Sequence, residues 1–164
     1  MSQIADAAEL LQLSVNDVFD KAETDERKIE VLNTLFLSMK SFSRDWKSHL
    51  SSQASPENPD CPDGWVRCPD GSCVPEGAGC GESLNFVNNE LMLSNRATAM
   101  SIAEARDFLV AYINAAATTY FDQAKNVEEQ LITTRLLEVA RLDFKGRIAP
   151  KALLESAPAE TPQT

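Results

Sequence analysis

Apolar residues recur at helical spacing along most of the chain, and the clearest run lies in residues 25–50. The separations there alternate between three and four residues, which is the a/d pattern of a heptad with one polar position at Ser43. Leu35 and Phe42 widen the apolar stripe, which favours a helical bundle over a two-stranded coil. This predicted helix supplies five candidate interaction residues for oligomer formation: Ile29, Leu32, Phe36, Met39 and Trp46.

Weaker helical patterns lie on either side of that run. Residues 3–23 carry apolar side chains at helical spacing and predict one helix or two short ones. Helix is expected to resume near Leu84, although the asparagines that follow are weak helix formers. Those asparagines are Asn85, Asn88 and Asn89.

The C-terminal half predicts the longest helical region, at residues 101–145. It opens with a capping box formed by Ser101 and Glu104. The region is either one rod of about 65 Å, which would need partner subunits to cover its apolar stripe, or two helices that break near residues 122–126. The second arrangement gives a compact four-helix bundle. Gly146 is the predicted end of the helix, and Pro150 lies just beyond it.

Composition changes abruptly between the two helical halves. Residues 51–81 hold five of the eight prolines, five of the six glycines and all four cysteines. We therefore predict an all-α fold, either a helical bundle or extended helices, with a short disulfide-stapled hairpin inserted in it. The chain is predicted to divide into four parts. They are a helical segment at residues 1–52, a cysteine-rich loop at 53–82, a second helical segment at 83–150 and a flexible tail at 151–164.

The inserted loop has its own chemistry. Its cysteines are Cys61, Cys68, Cys73 and Cys80, separated by six, four and six residues. The sequence Cys-Pro-Asp-Gly occurs twice, and Asp-Gly favours tight turns, so residues 66–68 and 73–74 predict a small hairpin. A segment this short has no hydrophobic core and needs cross-links. Zinc sites made of four cysteines usually contain CxxC pairs, which are absent here, so disulfides are favoured over zinc. Four cysteines allow three pairings, and nested pairing of the outer two and the inner two fits the symmetric spacing.

The residues of the loop resemble the first half of an LDL-receptor class A module. The matching positions are Val66, Cys68, Asp70, Gly71, Cys73 and Val74. The resemblance implies disulfides Cys61–Cys73 and Cys68–Cys80. The second half of that module, which carries an acidic calcium cage, has no counterpart after Cys80, so no calcium site is implied. The loop is also similar to short cysteine-loop inserts of bacteriophage virion proteins.

Charge and motif content exclude several functional classes. The formal net charge of −10 disfavours binding to nucleic acid phosphates. The most apolar stretch, residues 109–120, is shorter than the ~20 residues that span a bilayer, and the N-terminal residues do not form a signal peptide. His49 is the one histidine, and no nucleotide-binding or metalloprotease motif occurs. We expect no enzymatic activity, no cofactor, no metal, no nucleic acid partner and no membrane association.

Two surface features bear on partner binding. Trp65, on the stapled loop, is either an exposed anchor for a protein partner or packs back onto the helices. Basic residues gather towards the end of the last predicted helix, where they either complement the helix dipole or face an acidic partner. These residues are Arg135, Arg141, Lys145, Arg147 and Lys151.

Together these features predict a non-enzymatic structural or assembly protein. We expect a homo-oligomer or a component of a larger assembly, and the loop favours a bacteriophage virion. The chain is expected to be made in the cytoplasm and to work in a virion or another oxidising environment. The alternative is an intracellular helical adaptor with a four-cysteine zinc loop.

Overall fold

The structure, a computed structural model, describes residues 2–51, 61–62, 64–81, 83–93 and 99–156. Its four helices are α1 (Ser2–Lys21), α2 (Asp25–Ser51), α3 (Ile102–Gln123) and α4 (Val127–Ser156). Its five short strands are β1 (Trp65–Arg67), β2 (Cys73–Pro75), β3 (Phe86–Val87), β4 (Glu90–Leu91) and β5 (Met100–Ser101). The described residues are therefore mostly helical but not purely all-α. They include two small antiparallel sheets, β1–β2 and β3–β4–β5.

Contacts between the helices fix their relative directions. Ser38 Oγ donates to Asp143 Oδ2 at 2.8 Å, and Trp46 Nε1 donates to Thr133 Oγ1 at 2.7 Å, so α2 and α4 run antiparallel. Short turns reverse the chain between α1 and α2 and between α3 and α4. As a consequence α1 and α4 run in the same direction, and they pack against each other.

The two alternatives for residues 101–145 are resolved in favour of a break. Helix α3 ends with Ala124 in an extended conformation, and Asn126 Oδ1 accepts a hydrogen bond from the backbone N–H of Glu129 at the start of α4. The predicted capping box at Ser101 and Glu104 is confirmed, with both reciprocal hydrogen bonds formed. Because the chain reverses at the break, α3 and α4 each turn one apolar face inward. All four helices then share one core, which includes Leu11, Leu35, Phe36, Leu109 and Phe144.

The helix predicted near residue 84 is wrong, because β3 and β4 form a tight hairpin there. Asn88 and Asn89 adopt φ values of 54° and 65° at its tip. Two successive positive φ values are the signature of a hairpin turn, and asparagine tolerates this left-handed conformation better than most residues do. Two of the three asparagines that weakened the helical pattern, Asn88 and Asn89, are therefore turn residues.

The predicted end of the last helix is also wrong. Helix α4 continues through Gly146 and Pro150 to Ser156. Phe144 and Ile148 are both buried, so packing against the bundle extends on both sides of the glycine. Residues 151–156 of the predicted flexible tail are part of α4, residues 157–164 lie outside the described part, and the predicted tail stays a prediction. At the other end, the two alternatives for residues 3–23 are resolved in favour of one helix, α1, which ends at Lys21.

A long crossover connects α2 to α3 and returns along the length of α2. Its successive contacts on α2 run backwards along that helix: Cys73 to Ser43, Cys80 to Lys40, Leu84 to Asn33 and Asn89 to Asp25. The chain therefore enters α3 at the end of the bundle where α2 begins. This return path holds the cysteine loop against the helices instead of letting it project freely.

Candidate functional site

The cysteine loop is closed by two interleaved disulfides. Cys61 is bonded to Cys73 and Cys68 to Cys80, each pair separated by 12 residues. This is the pairing that the resemblance to the class A module implies, and it differs from the nested alternative. Because all four cysteines are in disulfides, the loop in this structure offers no thiolate to zinc. Among the described residues, no cluster of histidine, cysteine and acidic side chains has the arrangement of a metal site.

The predicted hairpin forms within the loop. Strands β1 and β2 pair antiparallel with Val66 opposite Val74. At the turn, Asp70 Oδ1 accepts from the Ser72 hydroxyl at 2.6 Å and from the Ser72 backbone N–H at 2.9 Å. These bonds, with a smaller contribution from the positive charges of Lys40 and Arg44, lower the pKa of the Asp70 carboxyl. The carboxylate thus acts as a fixed turn-stabilising group.

The polar interruption of the heptad is the docking point of the loop. The Ser43 hydroxyl is buried and accepts from the backbone N–H of Cys73 at 2.9 Å. One turn earlier, Lys40 Nζ donates to the carbonyl oxygens of Cys80 and Gly81 at 3.0 and 2.7 Å. From α3, the Tyr120 hydroxyl donates to Cys73 Sγ at 3.1 Å. A polar side chain is needed at position 43 because the loop brings a backbone donor into the core.

Trp65 packs back onto the helices. It is 8% exposed, and its ring stacks on those of Tyr112 and Phe108 in α3. Val66, the next residue along the strand, points to the other side and is 41% exposed. The sequence left open whether Trp65 is exposed or packs onto the helices, and in the structure it packs onto the helices. The loop is attached to the bundle through a large apolar contact as well as through hydrogen bonds.

The candidate interaction residues of the heptad also lie inside the chain. Leu32 and Phe36 are fully buried, Met39 and Trp46 are each 1% exposed, and Ile29 packs against the edge of the core. The stripe is covered by α1, α3, α4 and the loop of the same molecule, so it does not form a partner-facing surface here. His49 lies on α2, and its side chain lies outside the described part of the structure.

A surface feature that sequence reasoning missed lies on α4. Val127, Leu131, Val139 and Leu142 are 70%, 42%, 53% and 60% exposed. At 100° per residue these positions fall within a sector of about 120°, which lies opposite the buried row that includes Leu137, Ala140 and Phe144. The signal was present in the sequence, since α4 has two apolar stripes. Periodicity alone does not say which of them faces the core.

The neighbouring helix α1 extends this surface. Leu10 and Leu13 are 46% and 56% exposed, and Leu10 lines a groove of about 340 Å³ together with Leu131 and Arg135 of α4. In the part of the chain that the structure describes, no helix has the length and apolar character needed to cross a bilayer. The exposed apolar residues of α1 and α4 form a patch on the flank of the helical bundle.

No protein-family model, curated protein or solved structure matches this chain.

Proposed function

We propose that this chain is a non-enzymatic structural subunit that assembles with further copies of itself, and that a bacteriophage virion is the concrete form of the assembly. The observation that carries the proposal is the exposed apolar surface of α4. Among the described side chains of this helix, four large apolar ones stand on its outward face, with Val127 at 70% exposure. Such a surface is stabilised when a second protein removes it from water.

Clustering separates this surface from ordinary exposed apolar residues. A single exposed leucine or valine is normal on a soluble protein. Here Leu131 and Leu142 share one helix face with Val127 and Val139. Leu10 of α1 lines the groove between α1 and α4 together with Leu131. Apolar side chains grouped on one exposed helix face in this way are a feature of protein-binding surfaces.

The cysteine loop supports the stabilising role in this proposal rather than the role of a projecting contact. Its two disulfides staple a hairpin that has no core of its own, and Trp65 and Cys73 attach that hairpin to α3 and α2. Cysteine thiols are kept reduced in most cytosols, so the two disulfides support a working environment that is oxidising. Particles released from cells meet this condition.

Oligomeric state in solution is the direct test. Sedimentation velocity and native mass spectrometry of the oxidised protein, over a range of concentrations, should show a multimer. Leu142→Asp should shift the protein towards monomer, because it places a charge in the patch. Val87→Asp is the matched control, since Val87 is 48% exposed but lies on β3. A monomer at every concentration would reject self-assembly.

The virion form needs a separate measurement. Peptide mass spectrometry of particles purified from the source that encodes the chain should detect it at a fixed ratio to the other particle proteins. A chain that multimerises in solution but is missing from such particles would reject the virion form and leave self-assembly standing.

A further inference from the structure

The outward face of α4 carries an ordered pattern of charge as well as apolar side chains. Six exposed positions follow one another at separations of three, four, three, four and three residues, which is an a/d seam. They are Glu128, Leu131, Arg135, Glu138, Leu142 and Lys145. At 100° per residue they lie within a sector of about 100°, so they form one continuous stripe along the helix.

The stripe is symmetric about its centre. Its centre is the midpoint between residues 136 and 137. Arg135 and Glu138 lie at equal distances on either side of this midpoint, and so do Leu131 and Leu142. The outermost pair follows the same rule, with Glu128 matched by Lys145. Every acid is thus paired with a base and the two leucines are paired with each other. This pattern is complementary to its own reversed copy.

We infer that α4 pairs antiparallel with α4 of a second copy of this chain, with the two-fold axis between residues 136 and 137. The inference rests on the proposed self-assembly and names its contact surface. In an isologous interface each contact occurs twice, so Arg135 faces Glu138 of the second copy and Glu138 faces Arg135. Leu131 and Leu142 then form an apolar layer on each side, and Glu128 meets Lys145 at each end.

The same stripe disfavours parallel pairing. In a parallel pair in register every residue meets its own copy, so Arg135 would face Arg135 and Glu138 would face Glu138. Like charges held opposite each other destabilise a contact and favour other arrangements. Antiparallel pairing converts all the charged contacts of the seam into attractive ones. The direction of pairing is therefore encoded by the order of the charges.

Two features of the single chain agree with this pairing. None of the four charged residues of the stripe forms an ion pair with any described residue, so their charges are available to a partner. The same symmetry places Val127, which is 70% exposed, opposite Gly146 of the second copy. A Cβ added at Gly146 would meet nothing within 4 Å in its own chain. The position is open to a side chain that approaches from outside.

Zero-length cross-linking with a carbodiimide tests the direction of pairing on the unmodified protein. Glu128 and Lys145 are 17 residues apart on one helix, a separation of about 25 Å, so a direct bond between their side chains can only join two copies. We expect this cross-link in a mixture of isotope-labelled and unlabelled chains, as a peptide of mixed label. The ion pair of Lys21 with Asp17, at 3.4 Å within one chain, supplies a positive control for the reagent.

Charge exchange tests the pairing energy. Arg135→Glu and Glu138→Arg each replace two attractive contacts by two repulsive ones, so each variant alone should dimerise at least about tenfold more weakly. Mixing the two variants restores opposite charges across the axis and should give a heterodimer with affinity close to that of the original protein. Lys21→Glu makes the same change in net charge as Arg135→Glu on exposed α1 and should leave dimerisation unchanged.

The outcomes separate this inference from the proposed function. A multimer that shows no cross-link between Glu128 and Lys145, and that is insensitive to Arg135→Glu, would reject antiparallel α4 pairing and keep self-assembly through another surface. A protein that remains monomeric in every form would reject both. The cross-link together with heterodimer rescue would establish the pairing and its direction.

Discussion

The indole N–H of Trp46 donates a 2.7 Å hydrogen bond to the hydroxyl of Thr133, and this bond joins α2 to α4 inside the core. Thr133 is fully buried and Trp46 is 1% exposed, so neither group has access to water. The Thr133 hydroxyl in turn donates to the carbonyl oxygen of Glu129 at 2.8 Å. A short polar chain thus fixes the register of the two helices that make the most contacts in the bundle.

Thr133→Val should destabilise the protein through this bond. Valine has nearly the same shape as threonine but cannot accept a hydrogen bond, so the buried indole N–H of Trp46 is left unpaired, at a cost of about 1–3 kcal/mol. Thr134→Val is the matched control. The Thr134 hydroxyl donates only to the carbonyl oxygen of Gln130 in its own helix, and its replacement should cost less than about 0.5 kcal/mol. Denaturant unfolding measures both values, and equal costs for the two variants would contradict this account.

Much of the helical framework is predictable because its signals are local. The heptad in residues 25–50 predicts α2, and the side chains of Ser101 and Glu104 predict the start of α3. The loop hairpin follows from its Asp-Gly turn. In each case the residues that decide the structure lie within a few positions of one another, so tertiary contacts do not have to be known.

The roles of the apolar stripes could not be predicted in the same way. Periodicity shows that Phe36 and Trp46 share a face of α2, but whether that face meets the chain's own helices or a partner depends on the long crossover. Ser43 reads as a defect in the heptad until the loop backbone is placed against it. Likewise, α4 has two apolar stripes, and only the packed bundle shows that the stripe containing Leu131 faces outward. These are long-range facts that no local pattern contains.

Trp65→Ala should show that the loop is held by its contact with the bundle. The substitution removes the ring that covers Tyr112 and Phe108, and the loss of a buried tryptophan side chain costs about 3 kcal/mol. Val66→Ala, on the opposite face of the same short strand and 41% exposed, should change the free energy of unfolding by less than about 0.5 kcal/mol. If instead Trp65 were a partner anchor on a free loop, the two substitutions would have similar small effects on the stability of the isolated chain.

The disulfide pairing can be read directly from peptides. Digestion without reduction, with proteases that cleave at Arg67, Asp70 and Glu76, separates all four cysteines of the loop. We expect one cross-linked pair that joins Cys61 to Cys73 and a second that joins Cys68 to Cys80. Peptides that join Cys61 to Cys80 would show the nested alternative instead.

Removal of one disulfide should lower stability without unfolding the bundle. Each bridge closes a loop with a sequence separation of 12 residues, for which the reduction in unfolded-chain entropy is worth about 2–3 kcal/mol. The double substitution Cys68→Ser with Cys80→Ser should therefore lower the free energy of unfolding by about this amount and leave the helical circular dichroism signal intact. Loss of that signal at neutral pH would mean that the loop is required for the helices to fold.

The two tyrosines make the protein sensitive to alkaline pH. Tyr112 and Tyr120 are the only tyrosines in the chain, and both are buried. Burial raises the pKa of Tyr112 well above its usual value and raises that of Tyr120 to about 12, although the positive charge of Arg67 opposes the shift of Tyr120. An unfolded tyrosine ionises near pH ~10. Because folding raises both pKa values, the buried neutral hydroxyls make their full contribution to the free energy of unfolding below the pH at which an unfolded tyrosine ionises.

This stability should be lost as the pH rises from about 10 through 12. We therefore expect no tyrosinate absorbance from the native protein near pH ~10, whereas the protein in denaturant should be about half ionised there. At higher pH, tyrosinate absorbance and loss of the helical circular dichroism signal should rise together, because unfolding exposes both hydroxyls. Two hydroxyls that titrate near pH ~10 while the helices stay intact would show that Tyr112 and Tyr120 are open to solvent. That result would contradict the packing of the loop over α3.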